Sequence, residues 1–408
     1  MKWVSHVESF AECAPDSPQA TYTAFVKSLQ KEWAYLQRVV QGCSPEYEPL
    51  RDAIRHRLTP AILGWAPSEA EHNLLSLPVK LGGMALEDPV PTAAVRFDTS
   101  RRATVVLASS IFSGADFSGS NHLEQVTQEQ TAERARRKQQ EAEKSNLAVE
   151  ALEASAKRTI RRVIEGNASQ WLSKIPLAAD GLDLSPMQFK DAVCMRYGKP
   201  LLGLRGTCDG CGADMDMLHA LNCKRGGLVK QGHDQIRDVV AGLARQAFGG
   251  VTVEPVMREG TENEHGLVAD IKVNGMWNRE RASFYDIRVI NADASTYSSR
   301  DWTAVADEAA RAKHRKYDAA AEDLHGSFSP LITSCEGVLQ REFLAFNRRL
   351  VDALADKWTS PGPRWQNSSG QNCKWPLFER FPSGCGVHGR LSDLRPGTTS
   401  NKIVRRQQ

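Results

Sequence analysis

Sixteen residues, CDGCGADMDMLHALNC from Cys208 to Cys223, constrain this chain more than any other segment of it. Cys208, Cys211, His219 and Cys223 stand with two, seven and three residues between them. Three thiolates and an imidazole suit tetrahedral zinc, and a four-ligand set with no open position holds a structural ion. Gly210 and Gly212 predict a tight turn that aims both thiolates of the C-x-x-C pair at one ion. His219 and Cys223, four apart, share one face of a short helix. The competing reading is a pair of buried free thiols beside an unrelated histidine. Cys13, Cys43, Cys194 and Cys335 lie in apolar or helical text and read as small hydrophobes. Cys373, Cys385 and His388 form a weaker metal candidate of irregular spacing. Nine cysteines, an odd number with one close set, read as metal spacing in a reducing compartment and not as a disulfide framework.

At 408 residues the chain has room for two or three domains. Its 52 basic and 49 acidic residues leave a net charge of only +3, so any surface for nucleic acid must be local. No stretch approaches the roughly 20 apolar residues of a membrane span, and MKWVSHVESF lacks the apolar run of a secretory signal. A soluble, intracellular protein with no membrane partner is expected.

Phe25, Leu29, Trp33, Leu36 and Val39 recur at three- or four-residue steps and predict one amphipathic helix. A second helical stretch follows Pro45, and Pro78 with Gly82 and Gly83 then predicts a structured turn. From 124 to 165 the text is rich in Ala, Glu, Lys, Arg and Gln, and reads as a solvated helical spacer. Beyond the cysteine cluster, GHDQIRDVVAGLARQAF predicts a helix with Ile236, Val239, Val240, Leu243 and Ala244 on one face. The period then shortens: VTVEPV, GLVADIKVNG, ASFYDIRVIN and FSPLITSC read as strands, with a helix over DWTAVADEAARAKHRKYDAAAEDL between the last two. Helix, three strands, helix, strand is the signature of an α/β domain, here from about 225 to 357. The Pro-, Gly-, Ser- and Asn-rich text from 358 to 408 reads as a disordered tail.

VADIKV and YDIRVI place Asp270 and Asp286 on successive strands. Hard divalent cations take oxygen ligands, so the two carboxylates are candidates to hold Mg²⁺ or Mn²⁺ against a phosphodiester. Arg288, two residues past Asp286, shares its sheet face and is a candidate to steady charge on phosphorus. Asp238 and Glu254 are possible additional ligands, each with the bland alternative of a solvated carboxylate. Lys313, Lys316 and Tyr317 lie along one turn of the ARAKHRKYDAA helix, a candidate track for nucleic-acid phosphates or an ordinary basic face.

Taken together, the C-x2-C-x7-H-x3-C cluster, the GHDQIRD helix and the two strand motifs occur in the order found in the C-terminal part of non-LTR retrotransposon-type reverse transcriptase proteins, which this chain resembles. LLSLPVKLGGMALEDPVPTAAVRF with SRRATVVL looks like the segment after the polymerase palm, and ASQWLSKIPLAADGLDLSPMQFKDAVCMRYG like the linker before the knuckle. The likeness spans roughly residues 1 to 357. It implies an α+β multi-domain protein: a post-palm helical region over 1–123, the spacer over 124–165, a linker and CCHC zinc knuckle over 166–224, and a restriction-endonuclease-like PD-(D/E)XK domain over 225–357. It also implies catalytic roles for Asp270, Asp286 and Arg288, structural zinc, catalytic Mg or Mn, DNA and secondarily RNA as partners, and a nuclear setting. Ala269 stands where the family usually has proline, and Arg288 where the general fold often has lysine. The tail after Trp358 does not resemble the family's usual ending. No paired-aspartate turn of a polymerase palm occurs in the sequence. Polymerisation would therefore need an intact retroelement polymerase supplied elsewhere, and a catalytically inactive nucleic-acid-binding remnant is the alternative.

Overall fold

The computed structural model describes residues 2–178, 181–204, 206–225, 228–261 and 265–359. The expected tail from 360 onward, with Cys373, Cys385 and His388, lies outside the described residues. The chain is mixed α and β and divides into two compact units, 1–164 with 172–193, and 165–171 with 194 onward. The boundary falls inside the helix Pro186–Tyr197, so the helical region and the spacer read separately from sequence belong to one unit. Among the described residues no helix is long and apolar enough to cross a membrane.

The first unit is built from helices. The expected stripe is half right: Phe25, Leu29 and Trp33 are buried, whereas Leu36 and Val39 are exposed. A π-helical turn over Phe25–Leu29 and a break at Trp33 divide the helix. Each alters the number of residues per turn, and together they move the inward face onto Ala34 and Gln37. Gln37 is tolerated inside because its amide donates to Pro89 O at 2.8 Å and its oxygen accepts from Arg96. The turn predicted at Gly82 and Gly83 is also present. A Cβ on Gly83 would stand 1.9 Å from Leu77 O, so the backbones meet there only because the side chain is absent. The expected spacer is a 32-residue helix, Gly119–Glu150, followed by Ala154–Glu165. Arg136 and Arg137 of the long helix pair with Glu133 and Glu141 along its own surface. The second helix departs from a solvated spacer, because Ile160 and Val163 are buried.

The second unit carries the sheet. Its elements are α1 (Met217–Asn222), α2 (Leu228–Ala247), β1 (Val251–Val253), β2 (Val256–Arg258), β3 (Leu267–Val268), β4 (Ile271–Asn274), β5 (Ala282–Ile290), α3 (Trp302–Asp323), β6 (Ser327–Ser334) and α4 (Arg341–Thr359). Four strands form one sheet in the order β1-β4-β5-β6, with β5 and β6 parallel and the other pairs antiparallel. The parallel pair is joined through α3, as a parallel connection requires a long crossover.

Two of the strands read from sequence are each bent into two. VTVEPV breaks at Glu254, whose φ is +52°, and at Pro255; GLVADIKV breaks at Ala269 and Asp270. The outer halves, β2 and β3, pair with each other, and the inner halves, β1 and β4, enter the main sheet. Hydrogen bonds carry the pairing through the bend, Glu254 N to Asp270 O at 2.9 Å and Ala269 N to Pro255 O at 3.1 Å. Asp270 therefore sits at a corner, just before β4.

Alternation along β5 sets the two layers that cover the sheet. Tyr285 and Ile287 enter a core with Ile236, Val240 and Leu243 of α2 and Phe346 of α4. Phe284 and Ile290 pack on the opposite face against α3. Val239, expected on the inner face of α2, is partly exposed. The helix α4 is absent from the sequence reading, although Phe343, Phe346, Leu350 and Leu354 repeat at helical steps and are all buried.

His314 ties α3 to α4. Its Nδ1 lies 2.8 Å from Asp318 Oδ1 on the same helix, and its Nε2 3.1 Å from Glu342 Oε2. Burial opposes charge on the imidazole, but Asp318 and Glu342 outweigh it and raise the pKa. A raised folded-state pKa gives stabilisation that is complete below the unfolded value of about 6.5 and is lost as pH rises through the folded value. The thermal midpoint of the wild type is expected to fall from pH 6 toward pH 8 more steeply than that of His314→Gln. Parallel slopes would refute the clamp.

Candidate metal centre and acidic strand site

The four ligands read from sequence converge. Cys208, Cys211, His219 and Cys223 each offer one donor atom, all within 4.8 Å of one another. The Sγ atoms of Cys208 and Cys223 are 3.8 Å apart, those of Cys223 and Cys211 3.9 Å, and Cys211 Sγ lies 3.3 Å from His219 Nε2. Zinc–sulfur bonds of about 2.3 Å in a tetrahedron give a sulfur–sulfur edge of about 3.8 Å, so the donor set fits zinc.

Local sequence explains how the cluster forms. Cys208 N donates to Ala213 O and Gly212 N to Cys208 O, closing a tight loop around the first thiol pair. Gly212 takes a left-handed φ of +74°, as expected; Gly210 does not, and its role is to aim a backbone N–H at Cys208. Asp216 caps α1 by accepting His219 N at 2.6 Å, and the short helix then presents His219 with Cys223 just past its end. His219, then the Gly210 and Cys211 backbone groups, pull the Cys208 thiol down to about 6, and Cys208 foremost raises the His219 pKa. Cys211 accepts from Ala213, yet burial and its neighbouring thiols push it up. Among the described residues the other cysteines differ: Cys194 and Cys335 are buried, Cys43 is half-buried and Cys13 is exposed.

The acidic strand residues have defined partners. Asp286 is buried on the α3 face of β5, where Lys313 pairs with Oδ2 and the Tyr317 hydroxyl donates to Oδ1. Lys316 donates to the Tyr317 oxygen at 3.1 Å and lies 4.7 Å from the ring centroid. Tyr317 is 2 % exposed and stacks on Phe328. The structure thus places Tyr317 inside the protein and gives Lys313 to a carboxylate, where the sequence offered both as candidates for a phosphate track or an ordinary basic face. Burial, then Asp286, then Asp270 hold the Tyr317 hydroxyl protonated far above its ordinary range.

Asp270 meets the next strand and the neighbouring helix. Its Oδ2 accepts the backbone N–H of Ile287, the residue after Asp286, at 2.6 Å, and lies 3.0 Å from His233 Nε2 on α2. The Asp270 bond foremost raises the His233 pKa against burial. Arg288 follows Asp286 on the same strand face, but the cation on Asp286 is Lys313. Asp238 and Glu254, offered as further ligands, both pair with Arg237, at 3.0 and 2.5 Å, and Asp234 joins them at 3.2 Å. His233, Asp234 and Arg237 all fall in GHDQIRD, but a polar helix start beside a corner strand gives no periodic signal that would single them out.

Comparison with protein-family models and with curated proteins returns no match for this chain.

Proposed function

We propose that the chain is a retroelement-type, metal-dependent endonuclease module of restriction-endonuclease-like architecture, carrying a structural zinc knuckle and acting on DNA. One observation carries the reading: a buried Asp286 on β5 holds a lysine and a tyrosine from α3, while Asp270 of the neighbouring strand reaches the backbone beside it. The order in the second unit, helix α2, strands β1 to β5, helix α3 and strand β6, with β5 and β6 parallel, supports the architecture. Asp270 and Asp286 fit a hard divalent ion by donor chemistry. Mg²⁺ or Mn²⁺ there would polarise the phosphate and make a bound water more acidic. Lys313 supplies the ammonium that the general fold often places at the position of Arg288, and it would face the charge that grows on phosphorus. Tyr317 holds Asp286 in one rotamer, and its retained proton keeps it a donor.

The observation that both Asp286 oxygens have partners favours a second reading, a nucleic-acid binder without cleavage. The zinc-loaded full chain, given supercoiled plasmid with Mg²⁺ or Mn²⁺, is expected to nick it, and Asp270→Ala to lower the rate at least about a hundredfold. Plasmid binding without nicking by the wild type would favour the second reading; neither binding nor nicking would defeat both.

A further inference from the structure

We propose that Arg288 of β5, with Arg311 and Arg315 of α3, forms the surface that takes up backbone phosphates of duplex DNA beside Asp286, an inference that rests on the DNA partner of the reading above and not on cleavage. Strand alternation sets Arg288 on the α3 face of β5, between Asp286 and Ile290. Both neighbours on that face are covered by α3, Asp286 through Lys313 and Tyr317, and Ile290 through Val305, Ala306 and Ala309. Arg288 is half-buried, yet among the described residues its guanidinium has no carboxylate within ion-pair distance and no hydrogen-bond partner. Other half-buried cations of this unit are taken up: Arg237 by three carboxylates, Lys313 by Asp286 and Arg349 by the Met276 carbonyl. A guanidinium drawn partly out of water without an acceptor keeps a planar fork of donors for an anion of several oxygens.

The exposed side of α3 continues the surface. Arg311 and Arg315 stand four residues apart on one helix face, about 6 Å apart along the axis. Both are exposed, and among the described residues neither has an ion-pair partner. Glu308, three residues before Arg311, is paired with Arg300. Arg300 foremost, then Arg311 and Arg288, hold the Glu308 carboxyl below its usual range, which gathers three guanidiniums around one exposed carboxylate. Positive charge is therefore in excess here, in a chain whose net charge is only +3. The strand β4 pairs with β5 only as far as Tyr285, so at Arg288 the paired neighbour is β6 alone. Two residues along a strand is about 6.6 Å, close to the step between neighbouring phosphates of one nucleic-acid strand. A phosphate on Arg288 would thus be the neighbour of one at Asp286.

The test is equilibrium binding of a labelled DNA duplex to the zinc-loaded full chain, without added Mg²⁺ or Mn²⁺, over a range of salt. Arg288→Met keeps an apolar stem under α3; it is expected to bind about tenfold more weakly and to lower the slope of log affinity against log salt by about one. Arg311→Ala combined with Arg315→Ala, at two exposed positions, is expected to lower that slope by about two, and decides the matter should Arg288→Met fail to fold. Glu308→Gln has the opposite sign. Removing the carboxylate that occupies these guanidiniums is expected to tighten binding about two- to fivefold, a gain that lost packing does not produce. Arg134→Ala, an exposed cation of the helix Gly119–Glu150, controls for net charge and is expected to leave the slope as it is. Slopes unmoved in the folded arginine variants overturn the proposal, as do slopes that fall equally in Arg134→Ala, or a wild type that binds RNA but no duplex DNA. Duplex held through these arginines, with no nicking once Mg²⁺ or Mn²⁺ is added, would leave this inference standing while the nuclease reading fails. Nicking with unaltered binding in the variants would do the reverse, and absence of both binding and nicking would remove the two together.

Discussion

Replacing Lys313 with methionine is expected to slow plasmid nicking by about 10²- to 10³-fold, with plasmid affinity little changed. Methionine keeps an unbranched stem against Tyr317 but removes the ammonium from Asp286. The expected pattern separates the two roles the residue has been given. A lysine that merely tracks phosphates would weaken binding and reduce its salt dependence by about one phosphate contact, leaving the single-turnover rate of the bound complex unchanged. A lysine beside the reacting phosphate lowers that rate and barely moves the binding curve. Arg288→Ala is the companion variant, expected to have the smaller effect on rate because the Asp286 carboxylate is paired to Lys313. Lysine and arginine are not equivalent here: a guanidinium is a planar fork, whereas an ammonium is a compact point charge that fits between a carboxylate and a ring. Unchanged single-turnover rates in Lys313→Met would defeat the assignment. Because Asp286 is left buried without its cation, thermal unfolding is measured alongside, and rates are compared where both proteins are folded.

What could be read from sequence tracks what is local. The thiolate cluster was fully legible, since its spacing, turn glycine and four-residue helical step all act within sixteen residues. The strands β5 and β6 were legible because their apolar runs are long and cleanly bounded. The bent strands were not, because alternation of apolar and polar residues continues across Glu254–Pro255 and Ala269–Asp270 while the backbone turns. The partners of the two aspartates were hidden for another reason. Lys313 and Tyr317 sit 27 and 31 residues beyond Asp286, and His233 sits 37 before Asp270, so only the crossover of α3 and the placement of α2 bring them together. A basic helix turn looks the same in sequence whether it faces water or a buried carboxylate. The stripe that failed at Leu36 and Val39 shows the limit of periodicity itself, because one π turn and one break change the period within the helix.

Removing zinc is expected to unfold residues 206–223 while the sheet and its helices stay folded. Few apolar side chains hold this segment: Cys208, Met215, Ala220 and Cys223 are its buried hydrophobic positions, and two of them are ligands. The helix α1 has six residues, well under the roughly 12 to 15 that an isolated helix needs to persist in water. The loop is closed by a few backbone bonds, which cannot offset the ordering of eighteen or so residues at about 1 to 2 kcal/mol each. Metal binding, about 10–16 kcal/mol for structural zinc near neutral pH, would therefore be the dominant favourable contribution in this segment of the zinc-loaded chain. The sheet unit differs, since α2, α4 and the inner strand faces share a continuous apolar core. Hydrogen exchange read by mass spectrometry should show protection of 206–223 lost on chelation and that of 228–247 retained, with one zinc per chain released. Acid should release the ion too, because protons compete for the thiolates and the imidazole that bind it. Cys223→Ser should behave as the chelated protein does even with zinc in excess, its serine oxygen being a poor replacement for a thiolate. Protection of 206–223 that survives complete zinc removal would mean that the thiols pack as small hydrophobes and that the cluster's metal geometry has another cause.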